Sequence, residues 1–295
     1  MPDPNQLAGF RSGAGFVAAL DQDGGCTPQV LRAYGIDESQ YSSDVAMFDL
    51  IHAARTRIVT SPEFASDRIL GVILFDATLD REVDGTGFPE YLWDRKGILC
   101  FLTIDAGLRK RRDGVRLLRE PPRLDEVLVR ARIGGVFGTK ARSIIHAADR
   151  QGIARLVEQQ FAVAERALAA DLVPIIEPAV DAATPDRAAA EAMLKDSLRD
   201  RLDHLGDRVV ALQLSLPSVD DFYADLVGHP NVVRVLAPSG GYGRDEANAR
   251  LARNHGLIAG FSHPLLDGLN AYQSKREFDR ALSASVESIY RASIT

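Results

Sequence analysis

Leu172-Val-Pro-Ile-Ile-Glu177-Pro178 decides the fold. From Leu172 to Ile176 every side chain is apolar with no alternation, so a strand formed here is covered on both faces, as parallel strands under helices are. The run closes on a carboxylate, Glu177, and Pro178 fixes the backbone just beyond it. An apolar strand that ends on one ionisable group is a strand that delivers that group to a site.

Working outward, comparable short runs bounded by turn residues occur at Gly15 to Gln22, Ile69 to Asp76, Ile98 to Asp105, Gly135 to Arg142, Val209 to Leu216, Val232 to Ser239 and Leu257 to Pro264. Helical periodicity separates them. In Asp149 to Ala169 the residues Ile153, Leu156, Val157, Phe161, Val163 and Ala164 share a face, with Arg155, Glu158 and Gln159 largely opposite. Ser218 to Gly228, Arg244 to Asn254 and Ser274 to Arg291 read in the same way.

Eight strands alternating with helices predict an α/β fold of the (β/α)8 TIM-barrel type, in a single domain spanning residues 1–295. Such a barrel places its chemistry at the carboxyl ends of the strands, where this chain puts Asp21, Lys140, Arg142, Glu177, Gln213, Ser239 and His263. An open doubly wound sheet fits less well, because it concentrates its site at one switch point while here nearly every run ends on a polar residue.

Composition narrows the function. With 295 residues, 46% of them hydrophobic, the chain can bury one large core; a formal charge of −6 and a pI near 5.6 argue against nucleic-acid or anionic-membrane surfaces. Cys26 and Cys100 lie far apart without metal-ligand spacing, as expected of two free thiols in a reducing compartment. The segment Met1 to Gln6 has no basic region followed by an apolar stretch, and no run approaches bilayer-spanning length, so a cytoplasmic setting is expected. No ligand cluster points to a metal, no cofactor is implied, and a homo-oligomer is left open.

In Gly135-Val-Phe-Gly-Thr-Lys140-Ala-Arg142-Ser143, strand alternation puts Lys140 and Arg142 on one side. Two cations at a barrel mouth would attract a phosphorylated or carboxylated substrate, and the guanidinium would lower the lysine pKa toward the nucleophilic form; a solvated or salt-bridged pair is the plainer reading. Glu177 is expected to be partly buried, as a proton-transfer group or as a structural partner of Lys140. Asp21 could hold a lysine or serve only as a turn residue in Asp21-Gln-Asp-Gly-Gly25. Pro238-Ser239-Gly240-Gly241-Tyr242-Gly243 follows the seventh strand and precedes a helix, so it is either a phosphate cradle or an ordinary turn, with His263 near the same anion.

Over almost its whole length the chain resembles the short bacterial class I fructose-bisphosphate aldolases. The resemblance rests on Gly15-Phe-Val-Ala-Ala-Leu-Asp21-Gln, Thr56-Arg-Ile-Val-Thr-Ser-Pro62, Gly71-Val-Ile-Leu-Phe75, Phe137-Gly-Thr-Lys140, Val173-Pro-Ile-Ile-Glu177-Pro, Ser239-Gly-Gly-Tyr242 and Val286-Glu-Ser-Ile-Tyr290, in the family's order and spacing. It implies reversible aldol cleavage of a ketose phosphate through an imine on a sixth-strand lysine. It further implies that Asp21, Lys140 and Glu177 assist imine formation and proton transfer. Arg142 would serve the phosphate at the aldehyde end, and Ser239 and Gly240 the phosphate at the dihydroxyacetone end.

Departures from that pattern fall on the mechanism. Gln213 stands at the imine-lysine position, Ala179 replaces a glutamate, Thr103 a strand-three lysine, Asp23 and Cys26 phosphate-binding serines, and His263 an arginine. An amide cannot form an imine. Three readings follow: an aldol lyase or ligase on a different phosphorylated keto substrate, with Lys140 supplying the amine; an imine-independent isomerase, dehydratase or cyclase; or a non-catalytic sugar-phosphate binder.

Overall fold

The computed structural model describes residues 3–21 and 27–295. Eight parallel strands form the barrel: β1 Phe16–Leu20, β2 Ile69–Phe75, β3 Leu99–Thr103, β4 Gly138–Ile145, β5 Val173–Val180, β6 Val210–Gln213, β7 Val232–Ala237 and β8 Leu257–Phe261. Their order is β3-β2-β1-β8-β7-β6-β5-β4, and the pairing of Phe101 with Gly138 returns β4 to β3 and closes the ring. The expected (β/α)8 barrel is the fold. No helix among the described residues is long and apolar enough to cross a membrane.

Two apolar layers hold it. Outward strand residues such as Ala18, Val72, Ile176 and Leu212 pack under the helices, while Val17, Ile73, Phe101, Ile175, Ala211 and Ile258 fill the interior. Fully burying one such aliphatic side chain contributes about 1.5–3 kcal/mol. The helix Arg150–Ala169 buries Ile153, Leu156, Val157, Phe161, Val163 and Ala164 as its periodicity requires, and Asp149 caps it by accepting a hydrogen bond from Gly152 N at 2.7 Å. The closing helix, Lys275–Ser293, starts on a capping box between Ser274 and Glu277.

The amino-terminal base of the barrel is plugged. Helix Pro4–Ser12 inserts Phe10 beneath the strands, its ring 5.1 Å from that of Phe101 and 5.9 Å from that of Phe137, and those two rings lie 5.5 Å apart. Gly138 makes room: a Cβ there would meet Val173 O at 2.2 Å and the Phe101 ring at 2.8 Å. From β7, Arg234 clamps the plug, its Nε and Nη2 donating to Phe10 O at 2.9 and 2.6 Å and Nη2 to Gly13 O at 2.9 Å.

Two expected elements shift. The fourth run, expected over Gly135 to Arg142, begins and ends later, because Gly135 adopts φ 80° in the preceding turn and pairing with β5 persists from Gly138↔Val173 to Ile145↔Val180. The two-residue strand Val115–Arg116 adds an antiparallel partner at the far end of β4, which explains the extension. The helix read over Ser218 to Gly228 reduces to Ala224–Val227, because Glu191 takes the start of that segment: its Oε2 accepts from Ser218 N and Oγ.

Candidate active site

At the carboxyl-terminal mouth the strand ends enclose a cavity of about 530 Å³ whose wall includes Asp21, Lys140, Arg142, Glu177, Gln213, Ser239, Gly240, Gly241 and His263. Every site residue singled out for its position at a strand end thus reaches one space. Asp23 and Cys26 lie outside the described residues.

Lys140 is buried in the middle of β4, its Nζ donating to Asp21 Oδ2 at 2.5 Å and lying 3.3 Å from Glu177 Oε2. Thr103 Oγ1 donates to the same Asp21 oxygen at 2.7 Å, so the threonine at the end of β3 braces the carboxylate. Burial alone would raise the Asp21 pKa, but the charge of Lys140 and hydrogen bonds from Lys140 and Thr103 outweigh it and hold the carboxyl below its ordinary value. Burial alone would pull the Lys140 ammonium down; attraction to Asp21 and Glu177 outweighs that and raises it.

This corrects the expectation that Arg142 would push the lysine toward its neutral form. Arg142 is half exposed, and its Nε sits 3.9 Å from Glu177 Oε1, while two carboxylates face the ammonium directly. The nearer, less solvated charges decide the sign.

Asp105 belongs to the same cluster and was not singled out from the sequence. Its Oδ2 accepts from Arg142 N at 3.0 Å and its Oδ1 from Gly107 N at 3.1 Å; burial raises its pKa above the ordinary carboxylate value. The signal was available, since the third apolar run ends on Asp105 just as the fifth ends on Glu177. Asp181 also lines the mouth, 2.9 Å from His146 Nδ1. Ser215, another lining residue, instead ties two strands together: it donates to Val180 O at 2.9 Å and accepts from Val180 N at 3.0 Å.

Gln213 ends β6 and is buried, with its Oε1 lacking a hydrogen-bond partner among the described residues. The amide lies over β8, where a Cβ at Gly260 would come within 2.7 Å of Oε1. Of the chain's five lysines, Lys140 alone lines this cavity. The turn after β7 presents Ser239, Gly240 and Gly241 at the rim of the cavity, with φ of 65° and 85° at the two glycines, a conformation side chains disfavour. His263 opens the one-turn helix His263–Leu266 beside it.

No family model matches the chain. It is similar to the fructose-bisphosphate aldolase class 1 of Synechocystis sp., 49% identical over 295 residues covering all of this chain and 98% of that protein. Its fold is similar to that of the fructose-bisphosphate aldolase from Plasmodium falciparum solved in complex with TRAP and a small-molecule inhibitor, with a TM-score of 0.73 and 15% identity over 98% of this chain and 92% of that one.

Proposed function

The chain belongs to the class I fructose-bisphosphate aldolase family of lyases, and from that premise we propose that it catalyses reversible aldol-type chemistry on a phosphorylated keto substrate without an imine at position 213. The carrying observation is that the one lysine of the cavity, Lys140, lies between Asp21 and Glu177.

A lysine so placed stays charged, which opposes nucleophilic attack and suits hydrogen-bond donation to a substrate carbonyl oxygen. In the cleavage direction a carboxylate removes the proton of the hydroxyl beyond the scissile bond. The carbon–carbon bond breaks, an aldehyde leaves, and its electron pair passes to the carbonyl as an enediolate. The ammonium is strongest as a donor when that charge has developed, which is the condition for accelerating the step. Glu177, buried and 3.3 Å from Nζ, is positioned to carry the proton and then return it to carbon. Arg142 takes the phosphate at the aldehyde end, and the Ser239 to Gly241 turn the phosphate at the dihydroxyacetone end.

The test is solvent deuterium exchange into dihydroxyacetone phosphate and ketose phosphates, followed by NMR with and without borohydride. Exchange or cleavage undiminished by borohydride is the expected result. A reduced adduct on Lys140 under turnover would replace this route by one in which that lysine is the nucleophile. Absence of exchange and cleavage across the panel would reduce the chain to a binder. In Gln213→Lys, borohydride should trap an adduct at position 213.

A further inference from the structure

The connection from β3 to β4 is strongly cationic and takes no part in the chemistry at Lys140. Residues 107–119 hold six cations, Arg109, Lys110, Arg111, Arg112, Arg116 and Arg119, against one carboxylate, Asp113, in a chain of net charge −6. The segment folds back on itself as a ribbon: Leu108 faces Leu118 and Arg112 faces Val115, with Arg109 N donating to Leu117 O at 2.8 Å. Asp113 is shared between Arg112 at 3.6 Å and Arg155 at 2.8 Å. Among the described residues, no carboxylate comes within ion-pair distance of Arg109, Lys110, Arg111, Arg116 or Arg119.

The ribbon stands at the rim of the mouth. Its base is tied to Asp105, which lines the cavity and whose Oδ1 accepts from Gly107 N at 3.1 Å. Its strand Val115–Arg116 pairs with Ile145 and Ile144 at the carboxyl end of β4, and Ile144 lines the cavity as well. Arg111 Nη2 donates to His146 O at 3.3 Å, and the His146 ring lies 2.9 Å from Asp181 of the cavity wall. Arg109, Lys110, Arg111, Arg112 and Arg119 are exposed, and none of the six cations lines the cavity itself. Even Arg112, seven residues beyond Asp105, lies within about 24 Å of it at ~3.4 Å per extended residue, inside the Debye length of ~30 Å at 0.01 M salt.

An anionic substrate needs such a field. The cavity wall presents Asp21, Asp105, Glu177 and Asp181 against two permanent cations, Lys140 and Arg142, and Lys140 is compensated by Asp21 and Glu177. The chain's net charge alone would repel a phosphate ester approaching this opening. We infer that the ribbon of residues 107–119 is an electrostatic guide, which draws anionic substrate from solution to the mouth and raises its association rate without touching the bound molecule. This rests on the aldol reading above for the anionic character of the substrate. A long polyanion such as a nucleic acid is a poorer match, because beyond the ribbon it would run over a surface with an excess of negative charge.

The test is a phosphorus NMR line-shape titration, which yields association and dissociation rates, of dihydroxyacetone phosphate and fructose 1,6-bisphosphate into the full chain and into a triple variant, Arg109→Gln with Lys110→Gln and Arg119→Gln. In the unaltered protein the association rate should fall as salt rises from about 0.01 to about 0.5 M, although protein and ligand are both net negative and screening of that repulsion would by itself raise it. In the triple variant the low-salt association rate should drop on the order of ten-fold, its salt dependence should flatten or reverse, and the dissociation rate should stay as it was. The bisphosphate, with the greater charge, should show the larger effect. An association rate that is flat or rises with salt in the unaltered protein overturns the inference, and that arm decides it even where the triple variant does not fold. A loss that sits in the dissociation rate and persists at high salt overturns it too, since the ribbon would then be part of the binding site, and so does binding by neither probe. Deuterium exchange into dihydroxyacetone phosphate is scored separately. Exchange with salt-insensitive association sinks the guide alone, whereas guided association without exchange keeps the guide and removes the reaction.

Discussion

At the amino-terminal end of the barrel Phe10, Phe101 and Phe137 meet ring against ring, whereas at the carboxyl-terminal end, a few residues farther along the same strands, Lys140, Asp21 and Glu177 meet charge against charge. β3 and β4 serve both: Phe101 and Gly138 belong to the plug, Thr103 and Lys140 to the cluster, and the register pairs Phe101↔Gly138 and Thr103↔Lys140. Apolar burial at the base contributes stability with little dependence on pH. Buried charges at the mouth recover their desolvation only through one another, so that end is held together by protonation states. The comparison teaches that the base anchors the strands so that the mouth can hold a cluster of low intrinsic stability.

Lys140→Met separates the two ends most widely. Turnover of keto phosphates should fall about 10²–10³-fold, and the protein should lose ~3–5 kcal/mol at neutral pH because two carboxylates remain buried without their cation. Part of that loss should return as pH falls and Asp21, its burial no longer offset by Lys140, takes up a proton, which thermal unfolding between mildly acidic and neutral pH would register. A pH-independent loss would break the comparison.

Phe10→Ala should cost about 3–5 kcal/mol, equally at every pH, with the folded fraction retaining its rate; chemical denaturation alongside single-turnover kinetics checks both parts. Arg234→Met, which removes the donors to Phe10 O and Gly13 O, should cost ~1–3 kcal/mol for the carbonyls left unmet, again without a kinetic effect.

The signs of the pKa shifts define where the mouth itself gives way. Asp21 is depressed on folding, so its contribution is present above the ordinary value of 3.8 and is lost as pH falls through the lower folded value. Lys140 is elevated, so its contribution is present below 10.5 and is lost as pH rises through the higher folded value. Unfolding followed by fluorescence should therefore show a flat region bounded by an acid limb and an alkaline limb, and Phe10→Ala should lower the whole curve without moving either limb. Arg142→Gln has the smallest effect: stability unchanged to within ~0.5 kcal/mol, because the side chain is half exposed, and a roughly ten-fold higher KM for a phosphorylated substrate, the equivalent of ~1.4 kcal/mol.

The mouth was far more legible in the sequence than the base. Glu177 stands out because a carboxylate closes an apolar run, Lys140 and Arg142 because strand alternation puts two cations on one side, and Gln213 because the family resemblance calls for a lysine there. Phe10 carries no such mark: one aromatic in a short amphipathic helix acquires its role only from Phe101 and Phe137, far along the chain. The same limit hides the direction of the shift at Lys140. Arg142 is its neighbour in sequence, but Asp21 is 119 residues away, and the closure of the ring brings it to 2.5 Å. Asp105 is less legible for a different reason: it lies two residues beyond Thr103, where the third strand ends, so its direction is set by the hydrogen bonds from Arg142 N and Gly107 N and not by strand alternation.

The clamp on the plug also bears on how the chain assembles. Arg234 lies 224 positions from Phe10, so the floor cannot seal until seven of the eight strands have been made. Until then the three phenylalanine rings have no complete enclosure, and the nascent polypeptide must emerge from the ribosome with its earliest segment waiting for one of its last. Such a sequence-distant closure slows folding and leaves a sticky half-ring in the meantime, the kind of species that chaperones shield.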